Sequence, residues 1–202
     1  MTERPYHHGN LRAALIAAAE TVVQQQGHEA VSLRALAESL GVSRGAPYRH
    51  FADREALLAE VALGGFRILN NALDRLNTRK APTIDEIYAA AREFLAFVRD
   101  KPQIFRVMYE AGLITADGTH PELAEAQRLS YQGLDTLLAK ALPDLSKQTR
   151  KLRQTTLWST LYGFAKIRQL GIVHPYMTDG LSEDEIEKAV LQAAIGSPPK
   201  KA

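Results

Sequence analysis

Apolar residues recur at intervals of three and four along nearly the whole chain, and sustained two-residue alternation of β-branched or aromatic residues is missing. That periodicity predicts an all-α protein. Capping and turn residues divide it into about nine helices. A first helix is expected from Asn10 to Gln26, with Leu11, Leu15, Ala18, Ala19 and Val22 on one face and Gly27 as its stop. Ser32 can cap a second through Leu40, Gly41 ends it, and Ser43 can cap a third through His50. Asp53 stands where it can cap a long fourth helix, Arg54 to Asn77, with Leu57, Leu58, Val61 and Leu69 as its apolar stripe. Thr83 caps a fifth, in which Ile84, Ile87, Ala91, Phe94, Leu95 and Val98 keep helical register up to the break at Asp100, Lys101 and Pro102. A short helix from Pro102 to Ala111 and a longer one from Pro121 to Leu142, closed by Pro143, come next. Two more, Leu145 to Leu170 and Ser182 to Ile195, complete the pattern.

The polar, proline-containing stretch Thr78 to Thr83 reads as a linker. It separates a small domain over 1–54, extended by the connecting helix 54–77, from a helical region over 78–196 and a disordered tail over 197–202. With 46% apolar and 24% charged residues, the composition is that of an ordinary globular protein. Cysteine is absent, which removes disulfides, thiolate metal sites and cysteine nucleophiles from consideration. No uninterrupted apolar run approaches the ~20 residues of a membrane span, so a soluble, cytoplasmic protein without a membrane partner is expected. The net charge of +2 carries little weight. Over the first 56 residues Arg4, Arg12, Arg34, Arg44, Arg49 and Arg54 are balanced by Glu3, Glu20, Glu29, Glu38, Asp53 and Glu55. Any affinity for nucleic acid must come from where the arginines stand.

The most informative stretch is Ser32 to Arg44, where two short helical patterns flank a tight turn with glycine, as in a helix-turn-helix. An ordinary helical hairpin within a bundle would share that pattern. Ala37 is small where the helices cross, Gly41 permits a left-handed turn, and Val42 can fill the space beneath it. Four-residue spacing then places Pro47 and Phe51 on one face and Arg44, Gly45, Tyr48 and Arg49 on another. One face can pack while the other enters a groove.

The continuation Gly45-Ala46-Pro47-Tyr48-Arg49-His50-Phe51-Ala52-Asp53-Arg54-Glu55-Ala56-Leu57-Leu58 closely resembles the recognition helix and following helix entry of TetR-family regulators. As motif, the resemblance covers about Leu11 to Val61. It implies a homodimeric regulator, of the repressor kind, bound to a double-stranded DNA operator and released by a small apolar or amphipathic effector. Arg44 and Arg49 suit guanine edges or phosphates, and Gly45 and Ala46 allow close approach or touch a thymine methyl. Ser43 opens the recognition helix. Tyr48 and His50 suit phosphates, Arg54 at a helix N-terminus can clasp one, and by resemblance Arg34 reaches the groove edge. Many family members carry leucine where this chain has Pro47. Proline there removes an amide and biases Ala46 away from helical geometry, so an irregular recognition helix is expected. The arm with Arg4, His7 and His8 reads as a solvated end or a minor-groove contact.

The later segment Thr156 to Ala165 resembles the tryptophan, histidine, glycine segment of one C-terminal branch, the WHG type, with Tyr162 where that branch has histidine. The resemblance implies dimerisation through the last two long helices, and Leu161, Gly163, Ala165, Ile186, Val190 and Ala193 are the candidate interface. Packing within one chain is the alternative use of these residues. Phe94, Phe97, Phe105, Met108, Tyr109, Trp158 and Tyr162 form either plain core or the lining of an effector pocket.

Catalysis finds little support. There is no nucleophile elbow, no glycine-rich phosphate loop and no pair of histidines four apart on a helix. No cofactor and no metal site are expected, since the acidic run Glu183-Asp184-Glu185 suits a helix N-terminus. The competing non-enzymatic reading is a ligand-independent, DNA-associated helical protein on the same fold.

Overall fold

Capping chemistry sets most of the boundaries in the computed structural model, which describes residues 11–115 and 118–195. The expectations for the arm with Arg4, His7 and His8 and for the tail fall outside these residues. Among the described residues are nine α-helices and no strand: α1 (Leu11–Gln26), α2 (Leu33–Ser39), α3 (Arg54–Asn77), α4 (Ile84–Asp100), α5 (Pro102–Glu110), α6 (Pro121–Ala141), α7 (Lys147–Gln169), α8 (Pro175–Thr178) and α9 (Glu183–Ile195). Asp53 caps α3 by accepting from the Ala56 amide at 2.8 Å, and the Ser32 hydroxyl accepts from Ala35 at the start of α2. Short α8 lies in a stretch where apolar periodicity is too brief to announce a helix.

Helices α4 and α9 each open on a reciprocal serine/threonine–glutamate cap. At α9 the Glu185 carboxylate accepts from the Ser182 amide at 2.8 Å and hydroxyl at 2.7 Å. At α4 the Glu86 carboxylate accepts from the Thr83 amide at 2.6 Å and hydroxyl at 2.8 Å, and pairs with Arg79 at 2.7 Å. These bonds, the Thr83 amide foremost and its hydroxyl next, hold the Glu86 carboxyl below its ordinary value. A depressed folded-state value means stabilisation that is complete above the ordinary carboxylate range and lost as pH falls through the folded value. Glu86→Gln should therefore cost stability at neutral pH, with the deficit shrinking below pH ~4. Urea denaturation across that range checks it, and a pH-independent deficit would assign Glu86 a packing role only.

The chain forms two compact units. Of the described residues, the first comprises those from Leu11 to Phe66 together with 101–115 and 118–126. Its core takes Leu11, Leu15, Ala19 and Val23 from α1, Leu33, Leu36 and Ala37 from α2, and Leu57, Leu58 and Val61 from α3. Helix α5 adds Ile104, Phe105, Val107 and Met108. The close seat of α5 on α3 explains Gly65, where a Cβ would run into the Met108 sulfur and lie 3.1 Å from Ile104 Cγ2. Arg106 of α5 also reaches Glu29 at 3.5 Å. The linker-based division into 1–54 and 78–196 follows the chain, whereas packing in space groups Pro102–Glu110 with the N-terminal helices.

Of the described residues, the second unit comprises 67–100 and 127–195. Its core is built from Ile87, Ala91, Leu95 and Val98 of α4, Leu137 and Leu138 of α6, Leu157, Leu161 and Ala165 of α7, and Leu191, Ala194 and Ile195 of α9. Arg150 pairs with Asp135 at 2.7 Å, and Arg168 bridges to Glu183 and Glu187. Helix α3 is long and apolar enough to cross a membrane, yet 56% of its most apolar window is buried inside the protein, as in a core helix.

Candidate nucleic-acid interface

The turn after α2 is closed by two amides. Gly41, at φ +67°, donates to the Glu38 carbonyl at 3.1 Å, and Val42 donates to Ala37 at 3.0 Å. This is the paired closure of a helix that ends on a left-handed glycine, and it redirects the chain sharply at Ser43. Val42 is half-buried beneath the turn.

No α-helix follows. The segment is a series of tight turns ending in one 3-10 turn, Pro47–Arg49. Pro47 has no N–H to give to the Ser43 carbonyl, which accepts from Ala46 instead at 2.9 Å. Arg49 to Ala46 at 3.3 Å and His50 to Pro47 at 2.9 Å continue the tighter pattern, and only Phe51 to Pro47, at 3.0 Å, has α-helical spacing. Two expectations are corrected here. Ser43 serves through its carbonyl, not as a hydroxyl cap, and Ala46 keeps helical angles, φ −62° and ψ −41°, so the irregularity comes from the missing amide.

Pro47 and Phe51 are buried, while Ser43, Arg44, Gly45, Tyr48, Arg49 and His50 are exposed, as is Arg34 on α2; Ala46 is half-buried. Tyr48 leaves 56% of its surface open. Behind this face, Arg12 lies over the Phe51 ring, 5.4 Å from its centroid, and pairs with Glu60 at 2.6 Å.

Part of the acidic charge near the N-terminus is engaged elsewhere than on this face. Glu60 answers Arg12, Glu29 answers Arg106, and Asp53 caps α3. Among the described residues no ion pair holds Arg34, Arg44 or Arg49. Arg54 behaves differently from expectation. Its guanidinium turns inward and donates to the carbonyls of Val31 at 3.1 Å and His28 at 2.5 Å. Sequence reasoning missed this partner because the 3-10 turn His28–Ala30, which presents those carbonyls, has no periodic signature.

The other two candidate groups are dispersed. Phe105, Met108 and Tyr109 lie in the first unit, where Tyr109 meets Phe66 edge-on at 5.6 Å and Phe105 at 5.0 Å. Phe105 and Met108 are fully buried. Phe94, Phe97, Trp158 and Tyr162 lie in the second unit; Phe97 is buried, Phe94 half-buried, and Trp158 stacks on Tyr162 at 5.2 Å while remaining exposed. Of the candidate dimer residues, Leu161 and Ala165 are buried within the chain's own core. Gly163, Ile186 and Val190 are half-exposed and Ala193 is exposed. Position along a helix sequence does not distinguish the face that meets a neighbouring helix of the same chain from the face that remains open.

A glycine-closed helix turn with an outward basic face is an arrangement that helix-turn-helix DNA-binding proteins use. Residues 15–61 match the family described as bacterial regulatory proteins, tetR family, and residues 87–193 match the tetracyclin repressor-like C-terminal domain. A protein of unknown function from Rhodococcus sp. RHA1 is 30% identical, with a TM-score of 0.78 over 96% of this chain and 97% of that one. A TetR/AcrR-family transcriptional regulator from Thermobifida fusca YX-ER1 shares the fold at 16% identity, TM-score 0.69, over 96% of this chain and 100% of its own. So does the TetR-family regulator PfmR from Thermus thermophilus, at 17% identity and TM-score 0.65, over 90% of this chain and 96% of its own. No curated protein matches the chain. The chain belongs to the TetR family, and its fold is that of a DNA-binding transcriptional regulator.

Proposed function

We propose that the protein is a homodimeric repressor that reads a two-fold operator through the segment Ser43 to His50 and leaves it when a small apolar or amphipathic effector binds the helical C-terminal region. The observation that carries this reading is the outward cluster of Arg44, Gly45, Tyr48 and Arg49, whose arginines have no acidic partner among the described residues. Arg44 addresses base edges, Ala46 a thymine methyl, and Tyr48, Arg49 and His50 the phosphates that set register. Arg34 reaches the groove edge. Arg54 acts indirectly, by holding the start of α3 against His28 and Val31.

Gln154 of α7 is a buried polar side chain that a polar atom of an amphipathic effector would address. Its side chain is 1% exposed and donates to the Tyr131 carbonyl at 2.6 Å, while its Oε1 accepts no hydrogen bond among the described residues. Such a ligand releases DNA only if it prefers the released state over the bound one.

Selection from random duplexes at fixed salt should enrich a palindromic site. A thermal-shift screen followed by DNA release should then find compounds that both stabilise the protein and weaken binding to that site. Enrichment of no sequence would remove the operator reading. Binding compounds that never weaken DNA affinity would favour a ligand-independent DNA-associated protein.

A further inference from the structure

From Ser43 to Asp53 the buried residues are Pro47 and Phe51 alone. The outward segment is therefore anchored to the core by two side chains. Its own bonding adds little stiffness, because 3-10 turns hold their hydrogen bonds in poorer geometry than an α-helix does. Whatever holds the two anchors sets the angle at which Arg44, Tyr48 and Arg49 are presented.

Arg12, in the first turn of α1, holds one of them. Its guanidinium lies over the Phe51 ring, 5.4 Å from the centroid, and its Nη2 pairs with Glu60 of α3 at 2.6 Å. A planar guanidinium can do both at once, its face meeting a ring while its edge donates to a carboxylate. Phe51 is the junction of the two structures. Its amide makes the segment's α-spaced bond to the Pro47 carbonyl at 3.0 Å, and Asp53, two residues on, caps α3. One side chain thus ties together the start of α1, the end of the outward segment and the second turn of α3.

We propose that Arg12 is a positioning residue for operator recognition, fixing the angle of the segment Ser43 to His50 through Phe51 and Glu60 without touching DNA itself. This rests on the reading above that the segment meets the operator. Direct phosphate contact is the other use of an arginine in a DNA-binding unit. Arg12 is poorly suited to it: Glu60, its partner, is almost covered, so the pair as a whole has little net charge to offer.

Fluorescence anisotropy on the selected duplex and on a random-sequence duplex, over a salt series and well below each variant's melting temperature, tests the proposal. Arg12→Met keeps most of the side chain's length. It should weaken the selected duplex roughly five- to tenfold and the random duplex, held by phosphate charge, by less than about twofold. The slope of log affinity against log salt should keep its wild-type value. Glu60→Gln separates geometry from charge. Removing a carboxylate would tighten DNA binding if charge alone mattered, whereas a positioning role requires the same loss as in Arg12→Met. The double variant should then add little to either single one, and Arg12→Lys, which can still pair with Glu60, should recover part of the affinity. A salt slope shallower by about one in Arg12→Met would make Arg12 a phosphate contact and overturn the proposal. Tighter binding in Glu60→Gln, an equal loss on both duplexes, or wild-type affinity in both single variants while Tyr48→Ala weakens binding would overturn it too. Wild-type affinity in Tyr48→Ala and Gly45→Leu as well would remove the DNA reading on which it rests.

Discussion

Gly45→Leu is expected to abolish most specific DNA binding while leaving the fold intact. Gly45 is exposed, a Cβ there would meet nothing within 4 Å, and its φ lies outside the left-handed region. Nothing within the chain resists a side chain at that position. If the turn before Pro47 lies against a base pair or a phosphate, however, an isobutyl group occupies that gap and lifts Arg44 and Tyr48 away together. Losing even one good bidentate base pairing costs about 1–3 kcal/mol, so a loss of about 5- to 150-fold in affinity at fixed salt is the expected scale. Arg44→Ala should instead alter base preference, and Tyr48→Ala should weaken all sequences evenly. Fluorescence anisotropy on the selected duplex, with thermal melting as control, decides the matter. Wild-type affinity in Gly45→Leu, or a loss that simply follows a lower melting temperature, would place the DNA surface elsewhere.

Arg54→Ala is expected to act on stability first. Its guanidinium bonds to the carbonyls of Val31 and His28 tie the start of α3 to the turn before α2. Hydrogen bonds to a charged donor contribute about 1.5–3 kcal/mol each, and the site is only half-buried, so a total of about 3 kcal/mol is a reasonable expectation. For a small domain that is a substantial share of the folding free energy. Arg54→Lys should recover little, because one ammonium does not reproduce the two directions of a guanidinium. Urea unfolding measures the deficit. Unchanged stability accompanied by a lost phosphate contact would return Arg54 to the DNA surface.

The contrast between Arg54 and Arg44 marks where sequence reasoning reaches its limit. Both are arginines within a motif of known spacing, and both look suited to phosphate or base. Local geometry settles Arg44, since the glycine-closed turn and the 3-10 bonding around Pro47 keep it off the buried face that α-helical spacing would have given it. Arg54 is settled by a carbonyl 26 residues away, in a turn that has no sequence periodicity. Pro47 lies between these cases: its missing amide is legible in the sequence, but whether the segment compensates with 3-10 bonding or breaks altogether depends on how firmly Pro47 and Phe51 are gripped by the core.

By itself the sequence determined the helical class and the ends of eight of the nine expected helices to within two residues, because caps, glycine stops and apolar intervals act within a few residues of one another. The tertiary structure decided the rest. It alone placed α5 on the N-terminal helices against Gly65, turned Arg54 inward, put Leu161 and Ala165 in the core, and left Leu152, Gly163 and Leu170 open. Those outcomes depend on which of several equally apolar faces meets which neighbour. That choice is made by packing between residues far apart in the chain, where periodicity is silent.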